Sequence, residues 1–183
     1  VLDSIVGFTE FADYLSFEKS ERLELTVKGD FSDQIPLDRS NLILMAAELL
    51  RSLNNITAGA HITLTKKLPP SAGLGGGSSD AAAAIRGLSR LWKIDLPEAD
   101  HLMKIGSDLP VCINQKTQHM KGCGEVLRTI NMFPNLPILL VNPLKKISTQ
   151  AVFQKLKNKQ NSPLSKYEKL SQTKKDWINW LSA

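Results

Sequence analysis

Four glycines in five positions interrupt an otherwise ordinary chain, in the run Ser71-Ala72-Gly73-Leu74-Gly75-Gly76-Gly77-Ser78-Ser79-Asp80. Upstream, Ile62, Leu64 and Leu68 alternate with Thr63, Thr65 and Lys67. That is the two-residue period of a half-buried strand. Pro69-Pro70 ends it, because neither residue can donate to a sheet ladder. Downstream, Ala81, Ala84, Ile85, Leu88, Leu91 and Trp92 fall at helical spacing, with Arg86, Arg90 and Lys93 on the outer side. The glycines are therefore held between a strand and a helix, which a flexible linker would not be. Glycine allows φ > 0 and close backbone approach. The first N–H groups of a helix lack intrahelical partners, and the helix dipole adds partial positive charge there. Such a turn is a phosphate site, to which Ser78 and Ser79 add hydroxyl donors.

Two familiar phosphate loops are excluded. A Walker loop requires a Gly-Lys pair, and this run has none. The dinucleotide fingerprint requires a third glycine where, counted from Gly73, Ser78 stands. The charge suits anionic ligands in general: Lys+Arg is 23 against Asp+Glu 18, a net +5. With 42% hydrophobic and 22% charged residues over 183 positions, the composition excludes collagen-like and disordered chains. Apolar runs such as Ile138–Val141 are strand-sized, so no membrane span is expected. Val1 opens the chain without a signal-peptide pattern, and without Met it reads as starting downstream of a natural start. Cys112 and Cys123 make no CxxC pair and read as reduced thiols of a cytoplasmic protein. With His61, His101 and His119 they form no recognised zinc spacing, so no metal ligands are assigned.

The rest of the chain alternates strand and helix signals. Ser4–Phe8, Tyr14–Phe17 and Leu23–Val27 read as strands. Ser40 or Asn41 caps a helix carrying Leu42, Met45, Ala46, Leu49, Leu50 and Leu53 on one face. Leu109–Ile113, Val126–Ile130 and Leu136–Val141 read as further strands. Ser148 is a candidate cap for a helix through Val152, Phe153 and Leu156, and Trp177, Trp180 and Leu181 give a last short helix an apolar face. The proline-flanked stretch from Phe133 to Pro137 is the expected domain junction.

Leu68-Pro69 with Gly73-Leu74-Gly75-Gly76-Gly77-Ser78-Ser79-Asp80-Ala81-Ala82 resembles the second signature of the GHMP small-molecule kinases. The triple glycine is the form found in the branch acting on 4-diphosphocytidyl-2-C-methyl-D-erythritol, in the non-mevalonate route to isoprenoids. Gly106-Ser107-Asp108-Leu109-Pro110-Val111 resembles that branch's G-[AS]-D-[VIL]-P-V element. Gly122-Cys123-Gly124-Glu125-Val126-Leu127 resembles its G-x-G-E-x-L element, and Asn142-Pro143 through Thr149 and Phe153 its N-P…[ST]-T-x-x-[VI]-F element. The resemblance implies an α+β, two-domain fold, with residues 1–135 as the ATP-binding domain and 136–183 as the beginning of a second. It implies transfer of a phosphoryl group from ATP, with Mg²⁺, to the substrate's 2-hydroxyl.

The resemblance also implies roles. Asp108 would be the catalytic base or orienter for the attacking hydroxyl; alone, it reads as a turn or cap aspartate. Gly73, Gly75, Gly76, Gly77, Ser78 and Ser79 would cradle the ATP phosphates. Asn41 and Lys66 match positions near the adenosine end of ATP; by spacing alone they are a helix cap and a solvated strand charge. Thr149 and Phe153 match positions beside the substrate's cytidine, where an aromatic ring can stack. Several family elements are not found in the 183 residues: the P-[AS]-K-[ILV]-N-L strand, the D-G-[YF]-H element and the M-S-G-S-G-A loop. Met45 stands where a basic residue is common, and Pro97–Ile105 is shorter than usual. These residues alone are thus expected to resemble the middle of an enzyme and to be inactive. Other readings are a GHMP kinase for homoserine, mevalonate or a sugar, or a nucleic-acid-binding module. Scattered basic residues, not interleaved with aromatics, argue against nucleic acid as a partner. The oligomeric state is left open.

Overall fold

The computed structural model describes residues 2–145, 149–157, 162–164, 167, 170 and 173–182. Its elements are β1 (Leu2–Val6), β2 (Tyr14–Ser20), β3 (Leu23–Lys28), α1 (Leu42–Asn54), β4 (Gly59–Thr65) and α2 (Gly76–Trp92). They continue as α3 (Ala99–Met103), α4 (Leu109–Asn114), β5 (Gln118–Gly122), β6 (Val126–Thr129), α5 (Thr149–Lys155) and α6 (Lys174–Leu181). Two three-stranded sheets result, ordered β2-β4-β3 and β1-β5-β6. In the first, β4 runs antiparallel to β2 and parallel to β3; α1 makes the crossover that a parallel pair requires. The second is antiparallel throughout. This is the expected α+β class.

The core lies where α1 and α2 cover the central strand. Ile43, Ala46, Ala47 and Leu50 of α1 meet Ile62 and Leu64 of β4 and Ala81, Ala84, Ile85 and Leu88 of α2. Alanines at 81 and 84 leave no bulk between α2 and its neighbours, so backbone and glycine loop sit close to the sheet. Fully burying a side chain such as Leu50 or Ile85 contributes about 1.5–3 kcal/mol. A smaller apolar cluster of Ala82, Val111, Cys112 and Met120 ties α2 and α4 to β5. Trp177 of α6 is buried against Phe133, ring centroids 4.6 Å apart.

Two strand expectations are overturned. Leu109–Ile113 forms α4, not a strand. A five-residue buried apolar run has no period to distinguish the two, and Pro110 fits the first turn of a helix, where its missing N–H has no partner to lose. Leu136–Val141 is not in a strand. Leu139 is 87% exposed, and the run pairs with no strand among the described residues. Conversely, β5 had no legible pattern, because Gln118 and His119 are polar yet buried in the strand. Arg86, expected on the outer side of α2, turns inward and donates from Nη1 to the carbonyl of Cys112 at 2.8 Å. Ser148 lies outside the described residues; α5 begins at Thr149.

Gly29 follows β3 at φ +103°, and a Cβ there would stand 2.4 Å from the carbonyl oxygen of Lys66. The chain closes this contact with a hydrogen bond of 2.7 Å from the Lys66 N–H to the Lys28 carbonyl. Gly29→Ala meets both the backbone strain and a backbone clash. It is expected to destabilise the chain by about 2–3 kcal/mol in urea unfolding. A midpoint within error of wild type would contradict this packing.

Candidate active site

The glycine run forms the start of α2 and the turn before it. The helix begins at Gly76, earlier than the apolar spacing alone indicates, so Gly76, Gly77, Ser78 and Ser79 are first-turn residues. Gly75 is the N-cap in the left-handed region at φ 66°, and Gly73 has φ 73°. A Cβ at Gly75 would meet nothing within 4 Å, so glycine serves conformation there, not space. The first intrahelical bond runs from the Ser79 N–H to the Gly75 carbonyl at 2.9 Å. The N–H groups of Gly76, Gly77 and Ser78 precede it and are available to an anion.

Two cavities share this turn. One, of about 470 Å³, is lined by Pro69 to Ser78 together with Asn41, Lys66, Asp80 and Asp108. The other, of about 390 Å³, is lined by the same turn with Phe8, Thr9, Phe11, Arg86 and Cys112 among others. Gly73 to Gly76, Asp80 and Asp108 line both. Ser78 lines the first and Ser79 the second, where the Ser79 hydroxyl lies 3.6 Å from the Cys112 sulfur. Burial pushes the Cys112 thiol up, so it stays protonated and unreactive at neutral pH. A larger cavity of about 930 Å³ adjoins the second, sharing Gly7, Phe8, Thr9, Phe11 and Leu140 with it, and includes none of the expected site residues.

Asp108 sits at the N-cap position of α4, half-buried, with no capping hydrogen bond from its side chain. Among the described residues its carboxylate accepts only a long contact from the Ser107 hydroxyl, 3.4 Å. It is thus a carboxylate held by a fixed backbone, weakly engaged, at the junction of both cavities. Arg86 holds the other end of α4 through the Cys112 and Ile113 carbonyls, at 2.8 and 3.4 Å. Burial lowers the Arg86 guanidinium from its ordinary value.

Asn41 caps α1. Its Oδ1 accepts from the Ile43 N–H at 2.8 Å, and its Nδ2 donates to the Pro36 carbonyl at 2.7 Å. It also lines the 470 Å³ cavity, so the capping role and a place at the cavity hold together. Lys66 is not a solvated charge. Its side chain is 2% exposed, and Nζ donates to Asp13 at 2.6 Å and to Asp80 at 2.7 Å. Asp13 also accepts from the N–H groups of Lys67 and Leu68, at 2.6 and 2.8 Å. The three side chains lie directly under the loop: a Cβ on Gly76 would stand 3.4 Å from Lys66 Nζ and 3.9 Å from Asp13 Oδ2. Burial pushes the Asp80 carboxyl up to about 6 against the pull of Lys66, with Asp13 adding to the rise. The Lys66 ammonium is raised on balance, the two carboxylates outweighing its burial.

The structure therefore gathers Asn41, Lys66, Gly73, Gly75, Gly76, Gly77, Ser78 and Asp108 around one cavity, with Ser79 on the adjoining one. Thr149 and Phe153 fall in α5, and their side chains lie outside the described residues. Asp13 was missed. It stands before a strand like any turn aspartate, 53 residues from its partner, and no local signal marks it. Asp80 was visible in the motif but carried no assigned role. Among the described residues no group of three or more His, Cys, Asp or Glu is placed to hold a metal ion. No helix among them is long and apolar enough to cross a membrane.

Residues 41–122 match the family described as the GHMP kinases N terminal domain. The chain is 46% identical over 158 residues to the 4-diphosphocytidyl-2-C-methyl-D-erythritol kinase of Paramagnetospirillum magneticum, covering 84% of this chain and 55% of the relative. It is 39% identical over 165 residues to the enzyme of that name from Ruegeria pomeroyi, covering 90% of this chain and 58% of the relative. The chain thus spans little more than half the length of these curated relatives. Among solved structures it resembles a 4-(cytidine 5'-diphospho)-2C-methyl-D-erythritol kinase, with TM-score 0.55 and 30% identity, over 69% of this chain and 48% of that one. It shares its fold with the homoserine kinase of Cytophaga hutchinsonii at TM-score 0.60 and 17% identity, over 82% of this chain and 52% of that one. Glycine turn, open helix start and adjoining carboxylate thus coincide with the matched segment, and residues 41–122 carry the N-terminal domain of the GHMP kinases.

Proposed function

We propose that the chain is the nucleotide-binding part of an ATP-dependent kinase that phosphorylates the 2-hydroxyl of 4-diphosphocytidyl-2-C-methyl-D-erythritol. The observation that carries this reading is the position of Asp108, a weakly engaged carboxylate where the phosphate-loop cavity meets a second cavity. ATP occupies the first cavity with its phosphates on the N–H groups of Gly76, Gly77 and Ser78. The acceptor hydroxyl enters from the second. Asp108 orients that hydroxyl and takes its proton as the new O–P bond forms and the bond to the departing ADP oxygen breaks. Positioning and charge stabilisation supply most of the rate in phosphoryl transfer, and both are built into this turn. Mg²⁺ would arrive with the nucleotide, on its own phosphate oxygens. It would neutralise phosphate charge.

The substrate assignment is supported by the names and identities of the relatives, 46% and 39% for the two compared. The homoserine kinase likeness concerns the fold alone. We place Thr149 and Phe153 beside the cytidine, and Asn41 near the adenosine end of the nucleotide. The division into domains at residue 135, and a cytoplasmic location, belong to this same reading.

Two variants test it. Asp108→Asn in the full-length protein is expected to lower substrate-dependent ADP release by about 10²–10⁴-fold while leaving ATP affinity near wild type. Wild-type turnover in that variant would remove the role of Asp108. Gly75→Ala forces a Cβ into the left-handed region at a cost of about 1–2 kcal/mol, which relaxes as the turn moves. It is expected to weaken MgATP binding about tenfold in calorimetric titration. Unchanged affinity would place the phosphates elsewhere.

A further inference from the structure

The ion triad beneath the glycine turn is not explained by stability. Replacing a buried ion pair by apolar residues is commonly neutral or stabilising, and this triad is worse than a pair: one lysine stands against two carboxylates. With all three ionised it carries a net charge of −1, formed as +1 −1 −1. That charge lies under Gly76, against the helix start whose N–H groups face the cavity. In the free protein a negative group near a helix start is favourable. A polyphosphate arriving at the same N–H groups reverses this, because its charge and the buried −1 repel across a short, dry path.

We propose that Asp13, Lys66 and Asp80 act as a charge-compensating unit: when a nucleotide polyphosphate binds the turn, Asp80 takes up a proton from solvent and the unit goes from −1 to neutral. This rests on the reading of the turn as the nucleotide phosphate site. Asp80 is the member that titrates, because Asp13 is fixed by two further backbone N–H donors, whereas the Asp80 carboxylate is held by Lys66 and faces the Asp13 carboxylate. After the uptake, Lys66 and Asp13 remain as a neutral ion pair. No bond other than the new O–H forms. The other charged groups around Asp80 are accounted for. Lys67 points away, its ammonium over the Tyr14 ring at 4.7 Å. Arg86, on the same helix, is turned to the α4 carbonyls. From α4, Asp108 shares the cavity, and its charge reinforces the effect. The Cys112 thiol is neutral, and the start of α1 offers the uncharged Asn41.

The sign follows from linkage. The Asp80 carboxyl in the free protein is already pushed up to about 6, so at pH 7 it is mostly ionised but close to protonation. A bound polyphosphate raises it further, so protons are taken up at neutral pH and the uptake fades at alkaline pH. Asp13 and Asp80 are positioning residues here, acting on the phosphates by charge from beneath the turn.

The test is calorimetric titration of MgATP into the chain at pH 7 in PIPES and in Tris, whose different ionisation enthalpies count protons exchanged. ATP's own proton release is common to all variants and cancels in the comparison. Wild type is expected to take up about half a proton more per nucleotide than Asp80→Asn. Asp13→Asn, which also removes one negative charge, should match Asp80→Asn and decides the matter if that variant does not fold. Binding with equal proton counts in wild type and variants would overturn this proposal and leave the phosphate-site reading standing. Absence of MgATP binding to wild type would overturn both.

Discussion

Lys66 leaves the end of β4 and turns under the glycine loop, where Asp13 and Asp80 receive its ammonium at 2.6 and 2.7 Å. Three distant parts of the chain meet there: the approach to β2, the exit from β4 and the first turns of α2. The arrangement fixes where the loop stands relative to the sheet. Gly29 admits the Lys66 backbone from the side of β3, and Gly76 admits its Nζ from below. The alanine face of α2 lets the helix lie close enough for the triad to close. Gly29 is small because the Lys66 backbone passes it closely.

From that anchor the rest of the site follows. α2 is held by α1 and β4 in the larger core, and α4 is held to α2 by Arg86 and the Val111–Cys112 cluster. The loop N–H groups and Asp108 thus sit on packed elements whose relative positions are set by burial. Phosphoryl transfer asks for that kind of rigidity, since about 7–11 kcal/mol of a barrier can come from alignment of the reacting groups. In the proposed reaction the two cavities meeting at Asp108 would hold one reactant each.

Much of this was legible in the sequence, and the failures have causes. The strand–glycine–helix order was legible because proline, glycine and periodic apolar residues each act locally. β3, α1 and β6 were legible for the same reason. Leu109–Ile113 misled because a short buried run carries no period, and the helix is chosen by its packing on α2. Leu136–Val141 misled because apolar composition does not supply a pairing partner. Within the site, Gly75 and Ser78 were evident from chemistry, and Asp108 from its motif. Lys66 was legible as a position but not as a buried charge. Asp13 was illegible, because its importance arises from a contact made across 53 residues.

In the proposed reaction the first turn of α2 binds nucleotide phosphate with Asp108 beside it. Amide NMR of the labelled chain during MgATP titration tests it most directly. The largest shifts are expected on the N–H groups of Gly75, Gly76, Gly77 and Ser78, with a smaller shift at Asp108. Saturable shifts centred elsewhere, with these five amides unmoved, would contradict it.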